Sequence, residues 1–355
     1  MTSDHDEQPR TRTWRRQDAP PSTPEPPAGR IQIDVPPGPV PDADELAEAI
    51  RASLRGWPVV ILRLVGKVTG KAITGNFKGR WLRGQIGLAI DASMPPDAAN
   101  TLLGPHQPGT RIVGGAWAPI AVRASGLGDS RLDEGADVRA ELVLSGRATT
   151  QAGLLVNALL EPNLDRAVEP IVIQWTTVQH LVVDEDGDPR WRTCKPGVRP
   201  GLVPMDRITE PGVRSTRLLM NFLTPAAIAR RDETGEPWPD LPVVVDRIGR
   251  TLSTWLKRSK HKGPLLPDED LLRYAAQATL SANHTRAVQI PANLVGAEPG
   301  PRRGPPTPGG DRVAALVGSA TWTGEFSGLV PLLVAAAWVG MGPGRQNGLG
   351  EIAVR

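Results

Sequence analysis

The C-terminal end of the chain constrains its fold and function most. Five glycines lie among the eleven residues 340–350, after an apolar, helix-like run at 329–339 and before a short, strand-like end at 351–355. Glycine allows positive φ and a close approach of the backbone to a ligand. Successive backbone N–H groups in such a loop form a concave anion site, and the guanidinium of Arg345 can bind phosphate through two hydrogen bonds. The pattern predicts a loop that holds a polyanion backbone; a glycine-rich turn that closes a sheet is the alternative.

The order of elements around this glycine-rich loop (residues 340–350) argues against a bound ATP or dinucleotide. The loop follows a helix and enters a strand, whereas the loops of the Walker and dinucleotide-binding motifs follow a strand and open a helix. The chain also contains no Gly-Lys-Ser or Gly-Lys-Thr sequence. We therefore expect a polymeric anion as the ligand.

Length and composition set the class of protein. At 355 residues the chain has room for two domains of about 150 residues each. Lys and Arg number 41 against 38 Asp and Glu, so a nucleic-acid surface requires clustering of the cations. The single cysteine, Cys194, excludes an internal disulfide and a multi-cysteine zinc site. No signal peptide is recognisable, and the apolar run 329–339 is shorter than the roughly 20 residues that span a bilayer. We expect a cytoplasmic protein without membrane contact.

The chain is predicted to contain a tail and two similar halves. Residues 1–45, rich in proline and arginine, are expected to be a disordered tail. Domains are expected at 46–210 and 211–355, with a proline-rich loop at 296–310 in the second. Strands are predicted at 59–65, 120–123, 136–144, 171–183, 217–223, 284–290 and 313–323, and helices around 82–90 and at 242–258, 268–282 and 329–339. The order strand–helix–strand–strand–helix–strand, repeated, indicates an α+β protein and suits paired ferredoxin-like domains.

Several segments carry a family resemblance when they are taken in order. They are FKGRWLRGQIG (77–87), LLGP (102–105), API (118–120), LVLSGRA (142–148) and LLMNFLTP (218–225), followed by the glycine-rich loop. Over roughly residues 55–355 the chain resembles the RAMP-superfamily endoribonucleases that process CRISPR precursor RNA, the Cas-six family. The resemblance implies tandem ferredoxin-like (RRM-like) domains with a C-terminal glycine-rich loop.

The resemblance also implies metal-independent scission of RNA. The ribose 2′-OH loses its proton and attacks the adjacent phosphorus, and the 5′-oxygen of the next nucleotide leaves. The products carry a 2′,3′-cyclic phosphate and a 5′-hydroxyl. Such a site needs a general base, often histidine, and cations or amides that stabilise the phosphorane. No acidic cluster with metal-ligand spacing is present, so we expect neither a metal nor another cofactor.

Of the five histidines, His106 best fits the catalytic base. It follows LLGP in a loop after the first helix, where members of the family often place the catalytic histidine, and Arg111 is the candidate for stabilising the transition state. His5 lies in the tail. His180 and His284 are expected to be structural, and His261 stands in a basic loop that suits RNA binding.

The RNA-binding surface is predicted from clustered cations and from the glycine-rich loop. In the helix at 242–258, an apolar side that includes Val245, Ile248 and Leu252 is opposed by a basic side, and the helix runs into a basic loop. A solvated basic face is the alternative for this helix. The predicted RNA-binding residues are Lys78, Arg80, Arg83, Arg247, Arg250, Lys257, Arg258, Lys260, His261, Lys262, Gly342, Gly344, Arg345 and Gly348.

The expected partners are CRISPR repeat RNA and crRNA, with other Cas proteins of an effector complex as further candidates. Two other functions stay open. One is a non-catalytic RAMP subunit that binds guide RNA in an effector complex, which keeps the loop and the basic patch but needs no base. The other is an unrelated RNA-binding protein with ferredoxin-like domains.

Overall fold

The computed structural model describes residues 24–74, 77–103, 120–124, 131–184, 187–209, 215–228, 236–295 and 312–355. The helices are α1 (Ala43–Leu54), α2 (Lys78–Ser93), α3 (Pro96–Leu103), α4 (Ala152–Leu160), α5 (Met205–Ile208), α6 (Leu241–Arg258), α7 (Asp268–Ala275) and α8 (Val330–Val339). The strands are β1 (Pro58–Val68), β2 (Ala72–Ile73), β3 (Ile120–Arg123), β4 (Arg131–Leu132), β5 (Asp137–Ser145), β6 (Ile173–Val183), β7 (Pro189–Thr193), β8 (Val203–Pro204), β9 (Arg217–Ala227), β10 (Thr279–Pro291), β11 (Arg312–Thr323) and β12 (Ile352–Val354).

The first half of the chain forms a mainly antiparallel sheet in the order β3–β5–β1–β6–β7, with β8 beside β1. The path β3–β5–β1–β6, with helices after β1 and β5, is the ferredoxin-like arrangement. Strand β1 is apolar over most of its length because it is buried on both faces. Val60 and Leu62 pack in the core beneath α2 and α4, whereas Val59 and Ile61 lie in the core shared with the second half.

The second half repeats this connectivity. Its sheet has the order β10–β11–β9–β12, with α6 after β9 and α8 after β11. Met220 and Phe222 of β9 alternate into the core formed with the apolar side of α6. The predicted α+β class with tandem ferredoxin-like domains is confirmed.

The first helix packs on a different domain from the one predicted from the sequence. Helix α1, capped by the side chain of Asp42, falls largely within the predicted N-terminal domain. Its buried residues Leu46 and Ile50 nevertheless lie in one core with α6 and α8 of the second half. The helix contacts α8 directly. The apolar side of α1 thus packs on the C-terminal domain, and the chain then enters the first sheet at β1.

Part of the predicted tail also lies on the C-terminal domain. Residues 1–23 lie outside the described residues, but residues 24–42 are described. The N–H of Ile31 donates to the carbonyl of Glu236 at 3.1 Å, and the N–H of Glu236 donates to the carbonyl of Gly29 at 3.2 Å. Ile31 itself is 2% exposed. One buried isoleucine among prolines anchors this segment, which composition alone placed in a disordered tail.

One predicted helix ends earlier than expected, and one helix was not predicted. The helix predicted at 268–282 ends at Ala275, because the chain turns into β10 at Thr279 and pairs with β11 from there. Helix α4 was not predicted, since its sequence AGLLVNALL is apolar all round and has no amphipathic period. The predicted loop 296–310 lies outside the described residues. Within the described part of the chain, no helix is long and apolar enough to cross a bilayer.

A buried polar cluster joins the two halves. The indole N–H of Trp57 lies 2.7 Å from the Ser145 hydroxyl and 3.3 Å from that of Ser259, and the two hydroxyls are 2.6 Å apart. The Trp57 ring meets Trp255 edge to face, with centroids 6.2 Å apart. Since Ser259 and Trp255 belong to the end of α6, this cluster fixes that end against the first sheet.

The packing of α1 on the second half generates a stability prediction. Ile50 is fully buried, so Ile50→Ala should lower the free energy of unfolding by about 2–5 kcal/mol. Val40, 47% exposed in the segment before α1, is the matched control. Val40→Ala should change the free energy of unfolding by less than about 0.5 kcal/mol. Urea unfolding followed by circular dichroism measures both. Equal stability of the two variants would show that α1 is not part of the core.

Candidate functional site

The glycine-rich loop packs at the interface between the two halves. It connects α8 to β12 and rests on the N-terminal turn of α2. A Cβ added at Gly348 would lie 2.6 Å from the Cα of Gly79, and one added at Gly79 would lie 2.5 Å from the carbonyl oxygen of Asn347. Gly348 also has a φ of 70°. Glycine is therefore required on both sides of this contact, for space and for backbone conformation.

Asn347 fastens the loop to α2. Nη1 of Arg83 donates to Oδ1 of Asn347 at 2.5 Å, and Nδ2 of Asn347 donates to the carbonyl of Leu294 at 2.6 Å. Both side chains are buried. Burial and the neighbouring charge of Arg80 lower the pKa of Arg83 to about 10, so the guanidinium stays charged at neutral pH. Arg83, predicted to bind RNA, is placed facing the loop and is 7% exposed.

Arg345 turns into the loop that contains it. Its Nη1 donates to the carbonyl of Gly342 and lies 3.4 Å from the hydroxyl of Thr251. The guanidinium lies 5.4 Å from the centroid of the Trp255 ring. Burial and the charge of Arg258 lower its pKa to about 9, which leaves it protonated at pH 7. An anion bound beside Arg345 and Arg258 would raise the pKa of Arg345 again, because it would favour the charged guanidinium.

The predicted cradle of amides is only partly available. The N–H of Gly342 donates to the Thr251 hydroxyl at 2.9 Å, and the N–H of Gly348 donates to the carbonyl of Arg345 at 3.0 Å. An amide that is already used inside the protein does not bind a phosphate oxygen in the same conformation. The reasoning from glycine content missed this, because the sequence does not show which acceptor an amide will meet.

The predicted basic side of α6 contains one wrong position. Arg247 is 5% exposed, its Nε donates to the carbonyl of Ile228 at 2.5 Å, and its Nη1 pairs with Asp246. Nε of Arg250 also contacts Asp246, at 2.8 Å, so its charge is compensated. On the helical wheel Arg247 adjoins the apolar side, and its guanidinium is bonded to Ile228 and Asp246 instead of facing solvent.

The C-terminal end of α6 retains an exposed basic cluster. Its exposed cations are Lys257, Arg258, Lys260 and Lys262. Nε2 of His261, in contrast, is buried beside Gly263 and has no hydrogen-bond partner among the described residues. The imidazole nitrogen that could contact RNA therefore does not face solvent. Thr251 and Trp255 of the same helix contact Gly342 and Arg345, so α6 carries both this basic cluster and contacts to the glycine-rich loop.

The remaining predicted residues are placed as follows. Lys78 is half-buried and Arg80 exposed at the start of α2, beside the loop. His106 and Arg111 lie outside the described residues. The described residues on either side, Leu103 and Ile120, line the same small cavity of about 20 Å³ as Arg83.

Two histidines lie away from the glycine-rich loop. Nδ1 of His180 accepts a hydrogen bond from the N–H of Gly201 at 3.0 Å. Burial, followed by the charge of Arg192, lowers the pKa of His180, so its neutral form is favoured. His284 is exposed on β10. Across the described residues, no group of three or more His, Cys, Asp or Glu side chains is placed to hold a metal ion.

Sequence reasoning missed a polar cleft of about 550 Å³ between the first sheet and Glu351 of the second half. Its charged lining residues are Arg63, Arg123, Arg139, Glu141 and Glu351. Arg63 and Arg123 both bind Glu141, with contacts of 3.1 and 2.5 Å. Arg63 also stacks on Trp191 at 3.8 Å. The signal in the sequence was Arg63 itself, a charge that interrupts the apolar run of β1.

Comparisons with known proteins place this fold. The model of the family "CRISPR-associated endoribonuclease Cas6" matches residues 220–352. Among solved structures, a chain of a partial Cas6-RT-Cas1–Cas2 complex is 13% identical with a TM-score of 0.51; the match covers 85% of this chain and 47% of that one. Thermus thermophilus Cas6 is 13% identical with a TM-score of 0.49, covering 84% of this chain and 99% of that one. A Cas6 product complex is 18% identical with a TM-score of 0.45, covering 83% and 99%. No curated protein matches the chain.

The bond between Arg83 and Asn347 generates a second prediction. Asn347→Ala removes an acceptor from a buried guanidinium and should cost about 1.5–3 kcal/mol in the free energy of unfolding, as hydrogen bonds to charged groups do. Gln277→Ala, at an exposed position in the turn after α7, should be close to neutral. Urea unfolding compares the two. An Asn347→Ala protein as stable as the control would mean that the loop is not held through Arg83.

Proposed function

We propose that this chain, whose sequence resemblance to the Cas6-type RAMP endoribonucleases is confirmed by the family match, binds CRISPR repeat RNA and cleaves precursor crRNA into guide crRNA. A role in CRISPR RNA processing is what the family match supports, and it covers the segment that contains the glycine-rich loop. The finer proposal is cleavage without a metal ion, through attack by the 2′-OH, leaving a 2′,3′-cyclic phosphate and a 5′-hydroxyl.

The observation that carries the proposal is the meeting of the loop and the cations at one interface. The glycine-rich loop is held rigidly between α2 and α6, and Arg345 is fixed beside the exposed basic end of α6. Clustered cations supply the electrostatic part of RNA binding. Lys78 and Arg80 extend the same basic surface onto α2. Arg83 and Arg247 are buried, and we assign them the role of holding the loop and α6 in place instead of a direct contact with RNA.

We assign the general base to His106 and the stabilisation of the phosphorane to Arg111. The imidazole accepts the 2′-OH proton, the 2′-oxygen bonds to phosphorus, and the bond to the 5′-oxygen breaks as that oxygen takes up a proton from water. Support comes from the described ends of the segment, since Leu103 and Ile120 border the cavity under Arg83 and so lie next to the loop contact. The choice of His106 rests on the family resemblance, in which it follows LLGP, while His180 is bonded to Gly201 and His284 lies on β10.

The partners proposed are repeat RNA and, by analogy with the Cas6-RT-Cas1–Cas2 complex, other Cas proteins. A subunit that only binds guide RNA would use the same surface without a base. Incubation with repeat RNA in EDTA separates the two functions, because only the nuclease yields a cyclic phosphate end under those conditions. A strict requirement for Mg²⁺, or a 3′-hydroxyl product, contradicts the proposed chemistry.

Replacement of the proposed base gives the third prediction. His106→Ala should lower the single-turnover cleavage rate in EDTA by about 10²-fold or more, as loss of a general base does, while the Kd for repeat RNA stays near that of wild type. His180→Ala and His284→Ala are the controls and should cleave within a few-fold of wild type. Loss of cleavage in His261→Ala, with His106→Ala active, would move the active site to the basic loop.

The exposed end of α6 gives the fourth prediction. A Lys257→Gln/Lys260→Gln double variant should weaken binding of all RNAs alike and should reduce the slope of log K against log salt by about 1.4, at about 0.7 per lost phosphate contact on a single strand. The matched control is Lys67→Gln/Lys71→Gln, which removes two exposed lysines near the end of β1. A salt titration of binding measures both. Equal slopes in the two double variants would remove this end of α6 from the RNA path.

A further inference from the structure

Glu351 is a buried carboxylate directly after the glycine-rich loop. It is 4% exposed. Its N–H donates to the Thr224 hydroxyl at 2.9 Å, and its carbonyl accepts from the N–H of Leu223 at 2.9 Å. The main chain of Glu351 is therefore fixed to β9 in the C-terminal domain.

The side chain of Glu351 crosses to the other domain. Its Oε2 accepts a hydrogen bond from the N–H of Ala124 at 3.1 Å, and its Oε1 lies 3.5 Å from Nε of Arg123. Both partners stand at the end of β3 in the first sheet. A carboxylate is strongly disfavoured in a buried place unless it is paired and hydrogen-bonded, so this contact is specific to an acceptor at position 351.

Arg123 is itself held from the other side. Its Nη1 contacts Oε2 of Glu141 at 2.5 Å, and its guanidinium lies 5.2 Å from the ring centroid of Trp338. Glu141 in turn binds Arg63 of β1. The guanidinium that faces Glu351 thus has a fixed position, which makes the end of β3 a rigid anchor for the loop.

The loop is consequently tied to the first domain at two places. Asn347 binds Arg83 on α2, and Glu351 binds Ala124 after β3. Two attachments four residues apart fix the orientation of the loop as well as its position. Catalytic groups contributed by different elements need such positioning, because a misplacement of about 1 Å can lower a rate about 10²-fold.

We propose that Glu351 is a positioning residue: it locks the glycine-rich loop against β3, so that the loop and the first domain present one fixed site to the RNA. The proposal rests on the proposed function. Glu351 makes no contact with the RNA itself, and its hydrogen bond from the Ala124 N–H does the positioning. A glutamine at 351 keeps an oxygen acceptor for that N–H, whereas an alanine does not.

The test compares Glu351→Ala, Glu351→Gln and, as the control, Glu134→Gln, which changes an exposed carboxylate in the turn before β5, outside the arginine network. Single-turnover cleavage of repeat RNA, the Kd for that RNA, and hydrogen exchange of the peptide covering residues 120–124 are measured at a temperature where circular dichroism shows every variant folded. Glu351→Ala should cleave about 10-fold to 10²-fold more slowly with its Kd within about 3-fold, and residues 120–124 should exchange faster. Glu351→Gln and Glu134→Gln should stay within about 3-fold of the wild-type rate.

Each other outcome overturns the proposal. An unchanged rate in Glu351→Ala removes the positioning role, and a loss confined to Kd makes Glu351 part of the binding surface. A Glu351→Gln protein as slow as Glu351→Ala shows that the charge, and not the hydrogen bond, matters. If the wild-type chain binds repeat RNA without cleaving it, the proposed function is wrong, and unchanged exchange at 120–124 in Glu351→Ala then overturns the lock separately.

Discussion

The close contact between Gly79 and Gly348 is the constraint on which the rest of the site depends. The backbones of α2 and the glycine-rich loop approach so closely that no side chain fits at either position. This contact places the loop in the interface between the two domains, where it is bounded by α2, α6 and β3. The loop is therefore part of the interface between the domains as well as a candidate RNA site, and Gly348 is required for the interface.

Two buried charged side chains join the loop to the first domain, and each has polar partners. Arg83 of α2 bonds to Asn347 of the loop, and Glu351 bonds to Ala124 and contacts Arg123. A buried charge without such partners is costly, so each one specifies a single arrangement of the domains. The cations at the end of α6, in contrast, are exposed, where solvent or RNA can reach them.

The sequence predicted the strands and the larger helices well because most of them have one buried face and a clear period. Strand β9 alternates, and α6 has an apolar side of Val245, Ile248 and Leu252 that the structure buries. Helix α4 and the anchored segment around Ile31 were missed for opposite reasons. The first is apolar all round and the second has one apolar anchor, so neither has a period to detect. Arg247 was predicted to be exposed because a helical wheel gives the direction of a side chain but not the neighbouring residues that bury it.

The sequence by itself determined the fold class, the twofold repeat of the ferredoxin-like pattern and the place of the glycine-rich loop, because these depend on local periodicity and on the order of elements along the chain. Only the tertiary structure decided which groups meet. The partners of Arg345, the pairing of Arg83 with Asn347 and the reach of Glu351 to β3 join residues that are 94, 264 and 227 positions apart. Contacts at such separations are set by how the two sheets pack together, and no local pattern in the chain encodes them.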